Sequence, residues 1–176
     1  NPGGQNVHYS TYLGGSGDEL YYSGFIYNSN VRIAANVREE PIICGISRST
    51  DYPVTADALF STNPSSSSGG SWNTSATITK LDFLGSKLLY GTYYGGSSFE
   101  VPGANKLKRI SCYTNILYGG FTASSDYPTT PGVFKENKTG SSGSYFWTGF
   151  ISKFRDTLYT DDIELSLLDT IIQCDR

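Results

Sequence analysis

The sequence predicts an all-β fold of repeated four-stranded antiparallel sheets, and three observations carry that expectation. The 176 residues include 14 Tyr, 9 Phe and 20 Gly but no Met, a balance of strand-forming aromatics and turn residues. Whole phrases return in fixed order: TYLGGSGDE at Thr11 to Glu19 comes back as TYYGGSSFE at Thr92 to Glu100, 81 positions later. Nothing reads as a convincing helix of three turns. The nearest candidate, DDIELSLLDTIIQCD, is acidic at its start but carries the β-prone TIIQC, so 161–176 reads as an extended exit segment toward a following module.

From the beginning, Asn1-Pro2-Gly3-Gly4 reads as the turn of a hairpin already under way, the expectation for a mature fragment or a cut segment. Residues 1–16 then carry VHYSTYLGG, which by its wording equals the fourth strand of a unit whose first three strands are absent. The first full unit, 17–96, offers strands over 31–36, 42–47, 74–81 and 87–94. Its second strand, PIICGI, is apolar on both faces, as a strand buried between layers requires. Its Ser/Gly-rich stretch 61–73 is a solvated connector, matched by 135–144 in the second unit. That second unit, 97–160, offers strands over 107–112, 116–122 and 145–154 and a weaker one at 157–159, with a hairpin turn at 113–115.

The echoes go further. STDYPVTADALF at Ser49 returns as SSDYPTTPGVF at Ser124, 75 positions on, and ITKLD at Ile78 returns as ISKFR at Ile151, 73 positions on. The offset shrinks between phrases rather than inside them, as it does when loops vary and strands do not. Four antiparallel strands per repeat make the blade of a β-propeller, in which sheets pack face to face around a channel. Two blades do not close a ring, so the chain is expected to be an arc of a larger one whose outermost faces need covering.

YSTYLGGSGDE, STDYPVTADALF and SSDYPTTPGVF, in this order and spacing, resemble the SBBP-type bacterial β-propeller repeat of large secreted and surface-attached proteins, over roughly 1–159. The end, DIELSLLDTIIQCD, is similar to the start of an immunoglobulin-like module that follows such repeats in gliding-associated proteins exported by the type IX route. The resemblance implies an extracellular or outer-surface location. Family repeats place Asp-Ala-Phe at the third strand and Asp-x-x-Gly-Asn between the first two. Here those places read SAT, TGF, NVREEP and CYTN, so the acidic positions of an ion site are missing.

The recurring phrases suggest scaffold roles. Gly14-Gly15 and Gly95-Gly96 are expected to take φ > 0 and swing the chain from one blade to the next. Asp51 and Asp126 are expected to accept backbone N–H bonds in Asx-turns, while Pro53 and Pro128 fix φ and end the second strands. Tyr52 and Tyr127 are expected between blades. The loop from Gly14 to Glu19 lacks the Lys-Ser/Thr of a phosphate loop and the acid spacing of a calcium hand, and it returns as GGSSFE without the acidic pair, so a blade-to-blade turn is the better reading.

A net charge of −3 disfavours nucleic acid and anionic membrane as partners, and no apolar run is long enough to span a bilayer. Cys44, Cys112 and Cys174 lack C-x-x-C spacing and His8 is the only histidine, so no metal is expected, nor any other cofactor. His8 lacks a nucleophile motif and reads as a strand-edge residue. The function expected first is a non-enzymatic secreted or cell-surface scaffold, adhesion or protein-interaction module. Its partners are other blades or domains of a longer parent chain, or proteins at the cell surface. The alternative is a glycan-binding or glycan-cleaving propeller whose channel-mouth site uses Trp72, Trp147, Asp18 and Glu19.

Overall fold

Two antiparallel sheets and one small hairpin account for all the strands among the described residues of the computed structural model, which are 6–19, 21–23, 26–28, 31–36, 38–65, 74–110, 113–138 and 147–157. The first sheet has four strands in sequence order: β3 (Arg32–Ala35), β4 (Pro41–Ser47), β5 (Ser75–Leu81) and β6 (Leu88–Tyr94). The second has three: β7 (Glu100–Ile110), β8 (Tyr113–Thr122) and β9 (Thr148–Thr157). The hairpin pairs β1 (Tyr21–Ser23) with β2 (Ile26–Asn28) and was not expected from the sequence.

The first sheet follows the expected strands closely, because its turns are chemically marked. Between β3 and β4, Asn36 Oδ1 accepts from the amides of Arg38 and Glu40, and Glu39 takes a left-handed φ of 61°. Between β5 and β6, Asp82 accepts from the amides of Ser86 and Lys87, and Gly85 supplies a φ of 66°.

The second sheet departs from expectation at three places. β7 begins at Glu100 rather than at 107, because Pro102 and Gly103 lie at a bulge instead of breaking the strand. The hairpin turn is not 113–115: Ile110 pairs with Tyr113, so only two residues connect β7 to β8, and Tyr113 already belongs to β8. β9 runs on to Thr157, where the weak fourth strand was expected to start, and 158–159 lie outside the described residues, as does 161–176. Nor does VHYSTYLGG form a strand: residues 6–19 join no ladder.

Register confirms that the sheets are copies. Offsets of 75 on the second strand and 73 on the third map the pair Ile42–Lys80 onto Leu117–Lys153, and these are paired. They map Cys44–Ile78 onto Gly119–Ile151, again a pair. A one-residue slip would have turned every side chain to the other face.

The faces then become comparable. Ile42, Cys44, Ala76 and Ile78 form one face of the first sheet and pack in a single core against Ile116, Tyr118 and Phe150, with Tyr127 and Phe154 at its edge. The Tyr118 hydroxyl crosses to donate to the Gly45 carbonyl at 3.2 Å. In repeat terms, Ile42 and Ile78 correspond to Leu117 and Ile151, whereas Ile116, Tyr118 and Phe150 correspond to Pro41, Ile43 and Thr77. The sheets therefore stack in one direction, the front of the first on the back of the second. Burying each large apolar side chain in this layer is worth about 1.5–3 kcal/mol.

Candidate functional site

The GGSGDE and GGSSFE loops each form a latch onto the end of the second strand of the sheet that follows. In the first, Glu19 Oε1 accepts from the Gly15 amide at 3.0 Å, the Ser47 hydroxyl at 3.0 Å and the Ser49 hydroxyl at 2.7 Å. Asp51 Oδ1 accepts from the amide and hydroxyl of Ser16 at 2.7 and 3.0 Å, and the Gly17 amide donates to Ser49 Oγ at 2.9 Å. In the second, Glu100 Oε1 accepts from the Gly96 amide at 3.1 Å, the Thr122 hydroxyl at 3.0 Å and the Ser124 hydroxyl at 2.6 Å. Asp126 Oδ1 accepts from the amide and hydroxyl of Ser97 at 2.9 and 3.0 Å, and the Ser98 amide donates to Ser124 Oγ at 2.9 Å.

Every bond of one latch has its counterpart in the other, and each latch occupies three successive loop N–H groups, those of Gly15, Ser16 and Gly17 or of Gly96, Ser97 and Ser98, that would otherwise need water or a ladder. That duplication answers why the chain repeats its wording. The same phrases place a second repeated pair, Tyr52 Oη with Thr79 Oγ1 at 2.7 Å and Tyr127 Oη with Ser152 Oγ at 3.1 Å. Tyr127 lies between the sheets as expected, stacked on Phe150 at 4.5 Å and edge-on to Tyr94 at 5.5 Å. Tyr52 instead packs within its own unit on Tyr93, whose hydroxyl accepts from the Tyr52 amide and donates to the Ser49 carbonyl.

Three expected roles need correcting. Gly14, Gly15, Gly95 and Gly96 do not take positive φ; among the described residues only Gly85 and Gly132 among the glycines do. They are glycines for want of room: a Cβ on Gly96 would lie 2.5 Å from both Asp126 Oδ1 and Ser124 Cβ, and one on Gly95 would collide with Glu100 Oε2. Asp51 and Asp126 bind Ser16 and Ser97, 35 and 29 residues away, rather than closing local turns. Pro53 and Pro128 do not end the second strands, which stop at Ser47 and Thr122; the Pro128 carbonyl accepts from the Tyr94 hydroxyl at 3.2 Å.

The two latches differ in burial. Glu100 is fully buried and Glu19 half-buried. Burial pushes the Glu100 carboxyl up to about 7, against the pull of the bonds from Ser124, Gly96 and Thr122, and Asp126 adds a smaller upward push. Its second oxygen, Oε2, has no hydrogen-bond partner among the described residues. Asp51 sits below the ordinary carboxylate value, held there first by the Ser16 amide and then by the Ser16 hydroxyl. Glu100 was missed as a site residue, although its signal was in plain view: the repeated phrase ends in Glu both times.

The glycan candidates are not gathered into one site. Asp18 pairs with Arg48 at 3.4 Å on the surface and Glu19 is committed to the first latch. Trp147, 39 % exposed, lies beside Phe99 next to the second latch, at 5.8 Å between rings. Trp72 lies outside the described residues, as do Cys112 and Cys174, while Cys44 is buried in the core. His8 is exposed in the segment that joins no ladder.

Two cavities flank the first sheet. One, about 450 Å³, opens between the sheets and is lined by Ile42, Leu59, Ile78, Ile116 and Phe154 with Asp57 and Lys80 at its rim. The other, about 370 Å³, lies on the far side of the first sheet, between Val31, Ile33, Ile43 and Thr77 of the sheet and Tyr9 and Leu13 of the entering segment. Compared with known proteins, the chain matches no family model, no curated protein and no solved structure.

Proposed function

We propose that the chain is a segment of a secreted or cell-surface bacterial β-propeller, a non-enzymatic scaffold that joins sheet to sheet and presents its loops to other domains or protein partners. The observation that carries this reading is the latch built twice, bond for bond, with the two sheets stacked front to back. Such an arrangement can be continued from sheet to sheet along a longer chain. The acids that a hydrolase would need are engaged elsewhere: Glu19 and Glu100 hold loops, and Asp18 faces Arg48. The glycan reading rests on Trp147 and Trp72 alone.

Glycan arrays and hydrolysis assays with the purified chain test the proposal. Neither binding nor cleavage is expected. Binding that disappears in Trp147→Ala or Trp72→Ala would replace the scaffold with a lectin-like or hydrolytic propeller. Antibodies raised to the chain are expected to label intact, unpermeabilised cells; labelling only after lysis would remove the surface location.

A further inference from the structure

Asn36, Glu40 and Lys80 meet at the end of the first sheet where β3 turns into β4. One carboxylate oxygen joins them: Glu40 Oε2 accepts from Asn36 Nδ2 at 2.7 Å and pairs with Lys80 Nζ at 2.9 Å. All three are largely shielded from water, Asn36 at 4 % exposure, Glu40 at 8 % and the Lys80 side chain at 16 %. The carbonyl end of the Asn36 side chain is held as well, since Oδ1 accepts from the backbone amides of Arg38 and Glu40 at 2.9 and 3.1 Å. The turn itself is closed by the Asn36 amide on the Glu40 carbonyl and the Glu39 amide on the Asn36 carbonyl.

An ion pair alone would need no such treatment of the neighbouring amide. Two N–H donors on Oδ1 draw electrons from Cγ and stand where negative charge develops when a nucleophile adds to that carbon. Lys80 supplies a nucleophile, a primary amine on a flexible four-carbon stem. Glu40 touches both this amine and the amide nitrogen that would leave, so one carboxylate can take a proton from the first and give it to the second. Burial pushes the Glu40 carboxyl up, but the bonds from Asn36 and Lys80 outweigh it and leave the group below its ordinary value, so it stands as the carboxylate that a proton acceptor has to be.

Nothing in the repeat calls for this trio. With offsets of 75 on the second strand and 73 on the third, Glu40 falls on Asn115 and Lys80 on Lys153, so the second sheet has the lysine, exposed, without its acid. The latches, by contrast, are present in both repeats.

We propose that Lys80 and Asn36 join as an intramolecular amide, a covalent tie between the β3–β4 turn and β5. The Lys80 ammonium passes a proton to Glu40, and the amine so formed adds to Asn36 Cγ, making the Nζ–Cγ bond while Oδ1 takes up the negative charge under its two amides. Glu40 then hands its proton to Nδ2 and takes one from Nζ. The Cγ–Nδ2 bond breaks with its electron pair going to nitrogen, and ammonia departs with the remaining proton as ammonium. Glu40 ends as the carboxylate it began, and the step consumes no oxidant, reductant or co-reactant. The tie closes the chain around the connector 61–73 and is independent of the scaffold reading.

Mass spectrometry of the full wild-type chain, incubated at neutral pH, tests this. Its mass is expected to fall short of the sequence mass by one ammonia. Trypsin is expected to release 33–38 and 49–87 as one branched peptide, uncut after Lys80 because the ammonium there has become an amide. Glu40→Gln and Lys80→Arg, each close in size to the residue it replaces, are expected to keep the full mass and to release 33–38 by itself. Full sequence mass in the wild type would overturn the proposal whatever the variants do. So would a missing ammonia with 33–38 released alone, which marks ring closure of Asn36 onto its own backbone, and so would a cross-link that survives Glu40→Gln.

Discussion

Replacing Glu100 by Gln should abolish a pH dependence of stability that the second latch builds into the fold. An acid whose folded value is raised binds its proton more tightly when folded. Its contribution is therefore complete below the unfolded value and disappears as pH climbs through the folded one. For Glu100 the window runs from the ordinary 4.5 to about 7. At about 1.4 kcal/mol per pH unit the gap is worth about 3 kcal/mol, or about 6–12 °C in Tm for a chain of this size. Urea titrations followed by the fluorescence of Trp147, beside Phe99 at the latch, measure it directly between pH 4.5 and 8. Wild type should lose about 3 kcal/mol more than Glu100→Gln over that range. Equal losses in both proteins would refute the reasoning, because they would place the Glu100 carboxyl in water or in an ion pair rather than in the dry latch.

Equivalent positions should respond unequally. Ile78→Ala should cost about 2–5 kcal/mol and Ile151→Ala less than about 0.5 kcal/mol in dilute protein, by chemical denaturation, since only the first lies under another sheet. Gly96→Ala should cost about 1–3 kcal/mol by driving a methyl into Asp126 and Ser124, read as a lower denaturation midpoint. Tyr93→Phe should cost about 1–3 kcal/mol, because the buried Tyr52 amide and Ser49 carbonyl lose their common partner. Glu39→Gly should raise stability by about 1 kcal/mol by removing a side chain from a left-handed backbone, and an unchanged or lower midpoint would contradict the strain assigned there.

The repeat, the all-β class and the four strands of the first sheet are legible in the sequence because local rules suffice for them: alternation, β-branched runs and turns marked by Asn36, Asp82 and Gly85. The second sheet is less legible, since Pro102 and Gly103 carry the signature of a break and only the partner strand β8 turns them into a bulge. The same limit explains the glycines. Whether Gly96 is needed for its φ or for the space beside it depends on Asp126 and Ser124, some 30 residues away, and no local pattern distinguishes the two. Asp51 misleads likewise: an Asp before Tyr-Pro looks like a local turn, yet its acceptor oxygen serves Ser16. Glu100 shows the opposite case, a repeated residue whose meaning lies in its recurrence after Asp18 gives way to Phe99.

The central claim is that the two repeats stack front to back, and NOE spectroscopy on isoleucine-methyl-labelled protein addresses it most directly. Methyl protons of Ile42 and Ile78 should give cross-peaks to the rings of Tyr118 and Phe150, while those of Ile151, at the corresponding place in the second repeat, give none to any aromatic ring of the first sheet. Cross-peaks from Ile151 to Tyr93, which shares the opposite face with Thr77, with Ile78 silent, would mean that the sheets meet by their other faces and would contradict the account.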